Sequence, residues 1–405
     1  MKAREPCQVR KEAAISGYFY VPRGYLSVQP ARQIKGDNKQ RVVIKQDFIL
    51  VLLPPFFCLF LLQCSLSYIV SKLASQKKIK CYNPINSRNI LKKLKDEDVV
   101  FMMNLQGSWV AMPTPFTKDD KIDFAGFKVL IDRQIKYGTS QLFILGSAGE
   151  VTLLTLEEKK QIVKEVIKMT KGRIPVFFSA AALTTEASVE FAKYCENEGA
   201  DGVVFTIPPY VLIPQSAAFT HLDTCMSAVS IPCGIYNNPS RLGVQVEPAT
   251  IKRLSDKHAN FVVDKEACGG VDQLVQVQRF CQGKVKIMCC DAPGYSIVIP
   301  TLAVGGSGTA NIGGNIIPEE AAKYSRPWDS YQKVEECRAE YFKYFPLLEA
   351  FYEYSNPIVI KAALKILGLP GGHLRKPYQE ITVEEYNQLE KLMDKMGVLA
   401  KYSVK

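Results

Sequence analysis

The run Phe261-Val262-Val263-Asp264-Lys265-Glu266-Ala267 is a short apolar segment that ends at a lysine. Read as a strand buried on both faces, it holds the Lys265 ammonium in a low-dielectric setting that favours the neutral amine. A neutral amine attacks a ketone to form an imine, so Lys265 is the candidate nucleophile. The competing reading takes Lys265 out to solvent at the strand end, paired with Glu266. Its neighbours along the chain favour the first.

Seven further apolar runs surround this one: Ser108–Met112, Gln141–Leu145, Pro175–Ser179, Gly202–Ile207, Pro232–Tyr236, Val285–Met288 and Gly308–Ile312. With Phe261–Asp264 they make eight expected strands. Between them lie helical patterns near Phe124–Tyr137, Leu156–Met169, Thr185–Glu198, Gln215–Val229, Glu247–Lys257, Val271–Phe280, Tyr295–Val304 and Glu319–Tyr324. Near-continuous apolar strands alternating with helices of this length indicate βα units around a parallel sheet. Eight repeats in about 225 residues match a closed (β/α)8 TIM barrel, an α/β fold. An open doubly wound sheet is the runner-up, but no G-x-G-x-x-G fingerprint followed by an acidic residue is present. After Asp329 three more helical segments are expected, packed against the side of the barrel and carrying no chemistry. The domain reading is therefore 1–97 as a basic N-terminal extension, 98–328 as the barrel and 329–405 as a C-terminal helical region.

The chain has 405 residues, 47% of them hydrophobic, with a formal net charge of +11. That charge is not spread evenly: residues 1–95 hold 18 Lys+Arg against 4 Asp+Glu, leaving 33 against 36 for the rest. A nearly neutral body argues for a small-molecule site and against a nucleic-acid partner. Within the extension, Phe48 to Val70 runs 23 residues without a charge, long enough to span a bilayer but broken by Pro54-Pro55. Three readings of it stand side by side: a membrane anchor, a removed targeting region, or extra sequence outside the fold. Twelve cysteines occur without a CxxC pair and without histidines at metal-ligand spacing, so neither a metal site nor a disulfide framework is expected. They read as packed free thiols in a reducing compartment, the cytoplasm first and an organelle second. His221, His258 and His373, the three histidines, offer no convincing general base.

Strand ends of a parallel barrel open on one face, where groups distant in sequence converge. After the second strand comes Gly146-Ser147-Ala148-Gly149-Glu150, whose small residues let backbone N–H groups approach a ligand carboxylate or phosphate while Ser147 adds a hydroxyl. A tight turn with Glu150 favouring the next helix is the plainer reading of the same residues. After the fifth strand comes Tyr236-Asn237-Asn238-Pro239-Ser240-Arg241. A phenol there can shuttle the proton that imine formation requires, and the Arg241 fork suits a carboxylate. Neighbouring strands lie about 4.8 Å apart, so Tyr236 and Lys265 can reach one bound carbonyl.

Gly-Ser-Ala-Gly-Glu, Tyr-Asn-Asn-Pro-Ser-Arg and Lys-Glu-Ala-Cys-Gly-Gly, in this order and spacing, resemble the dihydrodipicolinate synthase/N-acetylneuraminate lyase family. The resemblance extends from Gly107 to the C-terminus and takes in Pro113-Thr114-Pro115-Phe116 and the segment from Cys289-Cys290-Asp291 to Gly305-Gly306-Ser307-Gly308. It implies a barrel with a C-terminal helical region, a homo-oligomer (tetramer or dimer), and no metal or organic cofactor. It also implies a lysine that forms a Schiff base with pyruvate or another 2-oxo acid. Lys265 matches that lysine and Tyr236 the proton-transferring phenol. Ser147 matches a hydroxyl that relays the proton and touches the substrate carboxylate, with Gly146 and Ala148 beside it, and Arg241 matches the arginine at the site entrance. Two positions depart: Ala148 stands where the synthases carry a second threonine, and Val211 where they place a tyrosine across a dimer interface, with Tyr210 one residue earlier. The implied activity is condensation of pyruvate with aspartate semialdehyde. Cleavage or dehydration of a 2-oxo-3-deoxy sugar acid or a 4-hydroxy-2-oxo acid comes second, and a silent barrel that binds a 2-oxo acid without turnover is the alternative outside enzymes.

Overall fold

In a computed structural model of the protein the described residues are 105–404, with the backbone of two short antiparallel strands before them, Val43–Lys45 and Phe48–Leu50. The chain divides into two units, Met1–Asn83 and Pro84–Lys405. Apart from Phe48–Leu50, the apolar run 48–70 lies outside the described residues. Among the described residues no helix is long and apolar enough to cross a membrane.

The second unit holds eight parallel strands: β1 (Gly107–Ala111), β2 (Gln141–Ile144), β3 (Val176–Ser179), β4 (Gly202–Phe205), β5 (Cys233–Asn237), β6 (Phe261–Glu266), β7 (Lys286–Cys289) and β8 (Gly308–Asn311). They close in the order β8-β1-β2-β3-β4-β5-β6-β7, so no strand is left with an unpaired edge. The connecting helices are α1 (Phe124–Lys136), α2 (Leu156–Thr170), α3 (Thr185–Glu198), α4 (Gln215–Ser227), α5 (Pro248–Lys257), α6 (Val271–Cys281), α7 (Val298–Ala303) and α8 (Pro318–Tyr324). The strands are buried on both faces because their outer side chains meet this ring of helices. Their inner side chains meet each other, as Trp109 of β1 and Phe177 of β3 do with ring centroids 4.6 Å apart. Side chains from alternate strands share a layer in such barrels, which fills the interior and leaves function to the rim.

The closing seam runs between β8 and β1 and depends on two glycines. Gly308 sits opposite Gly107 at φ +146°, and a Cβ on Gly308 would lie 2.1 Å from the Gly107 carbonyl oxygen. Only hydrogen at that position lets the two backbones approach closely enough to pair.

Two expectations need correction. Lys265 does not end β6: the strand continues to Glu266, because the Ala267 N–H donates to the Asn237 carbonyl (2.9 Å) and the Cys290 N–H to the Glu266 carbonyl (2.8 Å), carrying the ladder past the lysine on both sides. The C-terminal region has four helices rather than three, α9 (Tyr331–Phe351), α10 (Ile358–Ile366), α11 (Val383–Lys395) and α12 (Val398–Tyr402), and it does not keep to the barrel's side. Asp291 and Glu150 are buried carboxylates at the rim, and such groups require partners. The end of α9 supplies Tyr352 to the first and α10 supplies Lys361 to the second.

Gly308→Ala is expected to lower stability by about 1–3 kcal/mol, the usual range for overpacking a tight contact, read as a lower urea midpoint at unchanged slope. Gly269→Ala, where a Cβ would meet nothing within 4 Å, should leave the midpoint nearly where it was.

Candidate active site

Parallel pairing of β5 with β6 sets Tyr236 opposite Lys265 and Asn237 opposite Glu266. Residues opposite each other in a parallel pair project to the same side, so Tyr236 and Lys265 face inward together while Asn237 and Glu266 face the helices. The Lys265 Nζ lies 4.5 Å from the centre of the Tyr236 ring and 4.4 Å from that of Phe143 on β2, and the residue is only 5% exposed. Burial between these rings is the main cause that brings its amine down to about 8; the nearby Cys290 and Asp291 oppose the shift and the Arg241 charge assists it. The pairing with Glu266 is not formed. The Glu266 carboxylate points outward and accepts from Asn237 Nδ2 (3.3 Å), Gln273 Nε2 (3.2 Å) and the Cys268 thiol. Burial, and secondarily the Glu266 charge, push the carboxyl of Asp264, two residues back on the same outward face, well above the usual carboxylate range.

Asn237 is a framework residue. Its side chain accepts from the Val246 N–H (2.9 Å) and donates to the Val246 carbonyl (3.0 Å), clamping the loop that follows β5. Asn238 caps the one-turn helix Pro239–Leu242 by accepting from the Arg241 N–H (3.1 Å) and donates through Nδ2 to the Tyr236 hydroxyl (2.6 Å). Burial, and secondarily Cys290, push the Tyr236 phenol well up. It therefore stays protonated at neutral pH. Arg241, on the same turn, reaches the Ser355 hydroxyl with Nη1 at 3.3 Å. Tyr236, Asn238, Arg241 and Ser355 line a cavity of about 440 Å³ together with Cys290, Tyr295 and Tyr352. With Arg241 at its wall and Lys265 behind Tyr236, the cavity suits an anionic, carbonyl-bearing ligand.

Gly146-Ser147-Ala148-Gly149-Glu150 forms a tight 3-10 turn after β2, with Ser147 half-buried and Ala148 buried. A Cβ on Gly146 would press within 2.7 Å of the Phe143 ring, so this glycine keeps the floor beneath Lys265 in place. Ser147 and Tyr236 share no hydrogen bond, and neither Ser147 nor Ala148 lines the cavity. Glu150 ends the turn in the left-handed region (φ +54°), and its buried carboxylate pairs with Lys361 Nζ at 2.5 Å while accepting from the Arg375 N–H at 2.9 Å. One of the two readings of this turn had Glu150 favouring the next helix; its carboxylate is instead partnered by Lys361 and Arg375 of the C-terminal region. Tyr210 is 94% exposed in the loop after β4 and does not line the cavity.

Asp291 and Tyr352 were missed as site residues, and Cys290, read from the sequence as lying near the site but as a packed thiol, lines the cavity. The Tyr352 hydroxyl donates to Asp291 Oδ1 (2.5 Å) and lies 3.3 Å from Cys290 Sγ, while Asp291 also accepts from the Ile312 and Gly313 N–H groups at 3.1 and 3.0 Å. The carboxylate thereby joins the β7 end, the loop after β8 and the C-terminal region. Asp291 stood in the quoted Cys-Cys-Asp segment and was legible as a strand-end acid; nothing local marks Tyr352. Among the described residues no group of three or more His, Cys, Asp or Glu is arranged to hold a metal ion.

A closed parallel barrel whose rim cavity is walled by a phenol, with a buried lysine of weakened hold on its proton packed against that phenol, defines a lyase of the class I aldolase type. The sequence profile described as the dihydrodipicolinate synthetase family matches residues 104–396, and the chain belongs to that family. The 4-hydroxy-tetrahydrodipicolinate synthase of Methanococcus maripaludis strain C7 is 30% identical over 295 residues, which is 73% of this chain and all of the relative. Enzyme 1 of that name from Halalkalibacterium halodurans is 33% identical over 288 residues, 71% of this chain and 96% of the relative. The crystal structure of a dihydrodipicolinate synthase from Acinetobacter baumannii, complexed with pyruvate, superposes with a TM-score of 0.68 at 27% identity, covering 73% of this chain and 99% of that one. The family consists of pyruvate-dependent class I lyases, and this chain is one of them.

Lys361→Met would leave Glu150 as a buried, unpaired carboxylate. It is expected to destabilise the protein by about 3–5 kcal/mol, read from the urea midpoint.

Proposed function

We propose that the protein condenses pyruvate with aspartate semialdehyde, with Lys265 forming the imine, Tyr236 carrying protons and Arg241 receiving the carboxylate of the second substrate. The observation that carries this is the cross-strand pair itself: an amine brought down to about 8, lying 4.5 Å from the phenol ring at the cavity wall. At pH 7 an amine of that strength is neutral about one time in ten, against roughly one in a few thousand for an ordinary lysine. The neutral amine adds to the pyruvate ketone. The carbinolamine C–O bond then breaks, the hydroxyl takes the Tyr236 proton and leaves as water, and the nitrogen lone pair forms the C=N bond. The cationic nitrogen weakens the methyl C–H bond; its proton passes to the Tyr236 oxygen, its electron pair becomes the enamine C=C bond, and the enamine carbon attacks the aldehyde. Ser147 would meet the pyruvate carboxylate with the backbone N–H groups of its turn, after a closer approach than the unliganded geometry has.

A second reading, cleavage of a 2-oxo-3-deoxy sugar acid or a 4-hydroxy-2-oxo acid, is favoured by the absence of hydroxyls at Ala148 and Val211. A product assay with pyruvate and a panel of aldehydes separates the two. Formation of the cyclic condensation product from aspartate semialdehyde supports the first, and release of pyruvate from a sugar acid with none of that product supports the second. We also propose a homo-oligomer, dimer or tetramer, joined through the loop where Tyr210 (94% exposed) and Leu212 (66%) stand out in solvent; sedimentation velocity checks it.

Borohydride reduction with pyruvate should add mass at Lys265, and Lys265→Ala should abolish turnover with the fold intact. An unmodified Lys265, or a folded active variant, would refute the assignment. Because the amine is protonated below its shifted value, the initial rate of trapping should climb about tenfold from pH 6 to 7 and level off above about 8. A flat profile would contradict the buried-amine explanation.

A further inference from the structure

Asn238 accounts for a property of Tyr236 that the phenol's own position does not explain, the direction in which its proton points. The amide oxygen of Asn238 is occupied by two donors, the Arg241 N–H at 3.1 Å and the Ser240 hydroxyl at 2.6 Å. A backbone N–H can only donate, so turning the amide over would set an NH2 group against it. The orientation is therefore determined, and Nδ2 must face outward to its two phenols, Tyr236 at 2.6 Å and Tyr295 at 3.4 Å. The Ser240 hydroxyl lies 3.0 Å from the Tyr295 hydroxyl and closes the ring of contacts. The Tyr236 oxygen thus accepts from Asn238, and among the described residues its own O–H has no acceptor.

We propose that Asn238 is a positioning residue for the lyase chemistry: by donating to the Tyr236 oxygen it turns the phenolic proton into the cavity toward the bound carbonyl and stabilises the phenolate left when that proton is given up. This rests on the reading of Tyr236 as proton carrier and adds to it. The phenol is driven up by burial and by Cys290, so its conjugate base is costly to form in this cavity. An N–H fixed on that oxygen by the capped Asn238 amide stabilises the charge where it develops. Asn238 is 1% exposed, so water does not compete for its donors. Ser240 and Arg241 take a second role here, since their donation to Oδ1 is what aims the amide.

Pyruvate alone tests this, through exchange of its methyl protons in D2O followed by NMR on the full-length protein. That exchange requires the imine and the Tyr236 proton transfers but no aldehyde. Asn238→Asp keeps the cap acceptor for Arg241 and Ser240 and replaces the donor with an acceptor that turns the phenolic proton away from the cavity. Asn238→Val removes the donor without adding charge. Both are expected to slow exchange ten- to a hundredfold, while Lys265 is still trapped by borohydride to the wild-type extent after equilibration with pyruvate. In a Tyr236→Phe background either change should slow exchange by less than twofold further, because residues that act as one unit are not additive. Trapping at Lys265 together with undiminished exchange in both variants overturns the proposal and leaves the imine assignment standing. A further tenfold loss in the Tyr236→Phe background shows a purely structural role and overturns it as well. If wild-type Lys265 is not trapped at all, the functional reading fails and this proposal fails with it.

Discussion

The removal of one ammonium group from water is the constraint on which the architecture depends. Lys265 lies inside β6 between the Phe143 and Tyr236 rings, and the residue beside it, Glu266, faces away and is fully engaged elsewhere. A lysine in such a place costs stability as a cation and gains reactivity as an amine. The barrel tolerates that cost because its strands are paired on both sides and its interior is filled by close contacts such as that of Trp109 with Phe177. A looser sheet would let the lysine reach solvent or let water reach the lysine, and either change would return the amine to its ordinary strength.

Several polar groups surrounding that amine serve geometry rather than reaction. Asn237 clamps the backbone after β5, Asp291 gathers the β7 end, the loop after β8 and Tyr352, and Glu150 ties the turn after β2 to Lys361 and Arg375. Each is a buried polar group with fixed partners, and buried networks of this kind restrict the rim to one arrangement. The cavity consequently inherits its shape from three directions: the strand register, the capped turn at Asn238, and the C-terminal region that closes over the rim through Tyr352 and Lys361. That last contribution makes the C-terminal helices part of the site, although they follow the final barrel strand in the chain.

The barrel was legible because its signals are local and repeated. Apolar runs such as Gln141–Leu145 and Gly202–Ile207 each read as a strand, and patterns such as Thr185–Glu198 read as helices with bounds that the structure reproduces. Lys265, Tyr236 and Arg241 could be picked out because strand ends of a parallel barrel share one face, and they do meet at the cavity or against it. The terminus of β6 was misplaced because the two hydrogen bonds that prolong it come from Asn237 and Cys290, neither adjacent in sequence. Tyr352 and the pairing of Glu150 with Lys361 were invisible for the same reason: a tyrosine after a helix and a lysine within one have no local pattern that names a partner 61 residues away in Asp291 or 211 away in Glu150, a separation set by tertiary packing.

By itself the sequence determined the alternation of strand and helix, the number of repeats, and hence a closed barrel with a known reactive rim, since periodicity and chain reversal are properties of neighbouring residues. Tertiary structure decided how weakly Lys265 holds its proton, which way the Asn238 amide points, and which C-terminal side chains complete the cavity. Those depend on dielectric surroundings and on hydrogen-bond directions among groups brought together only after the barrel has closed, and no spacing along the chain encodes them directly.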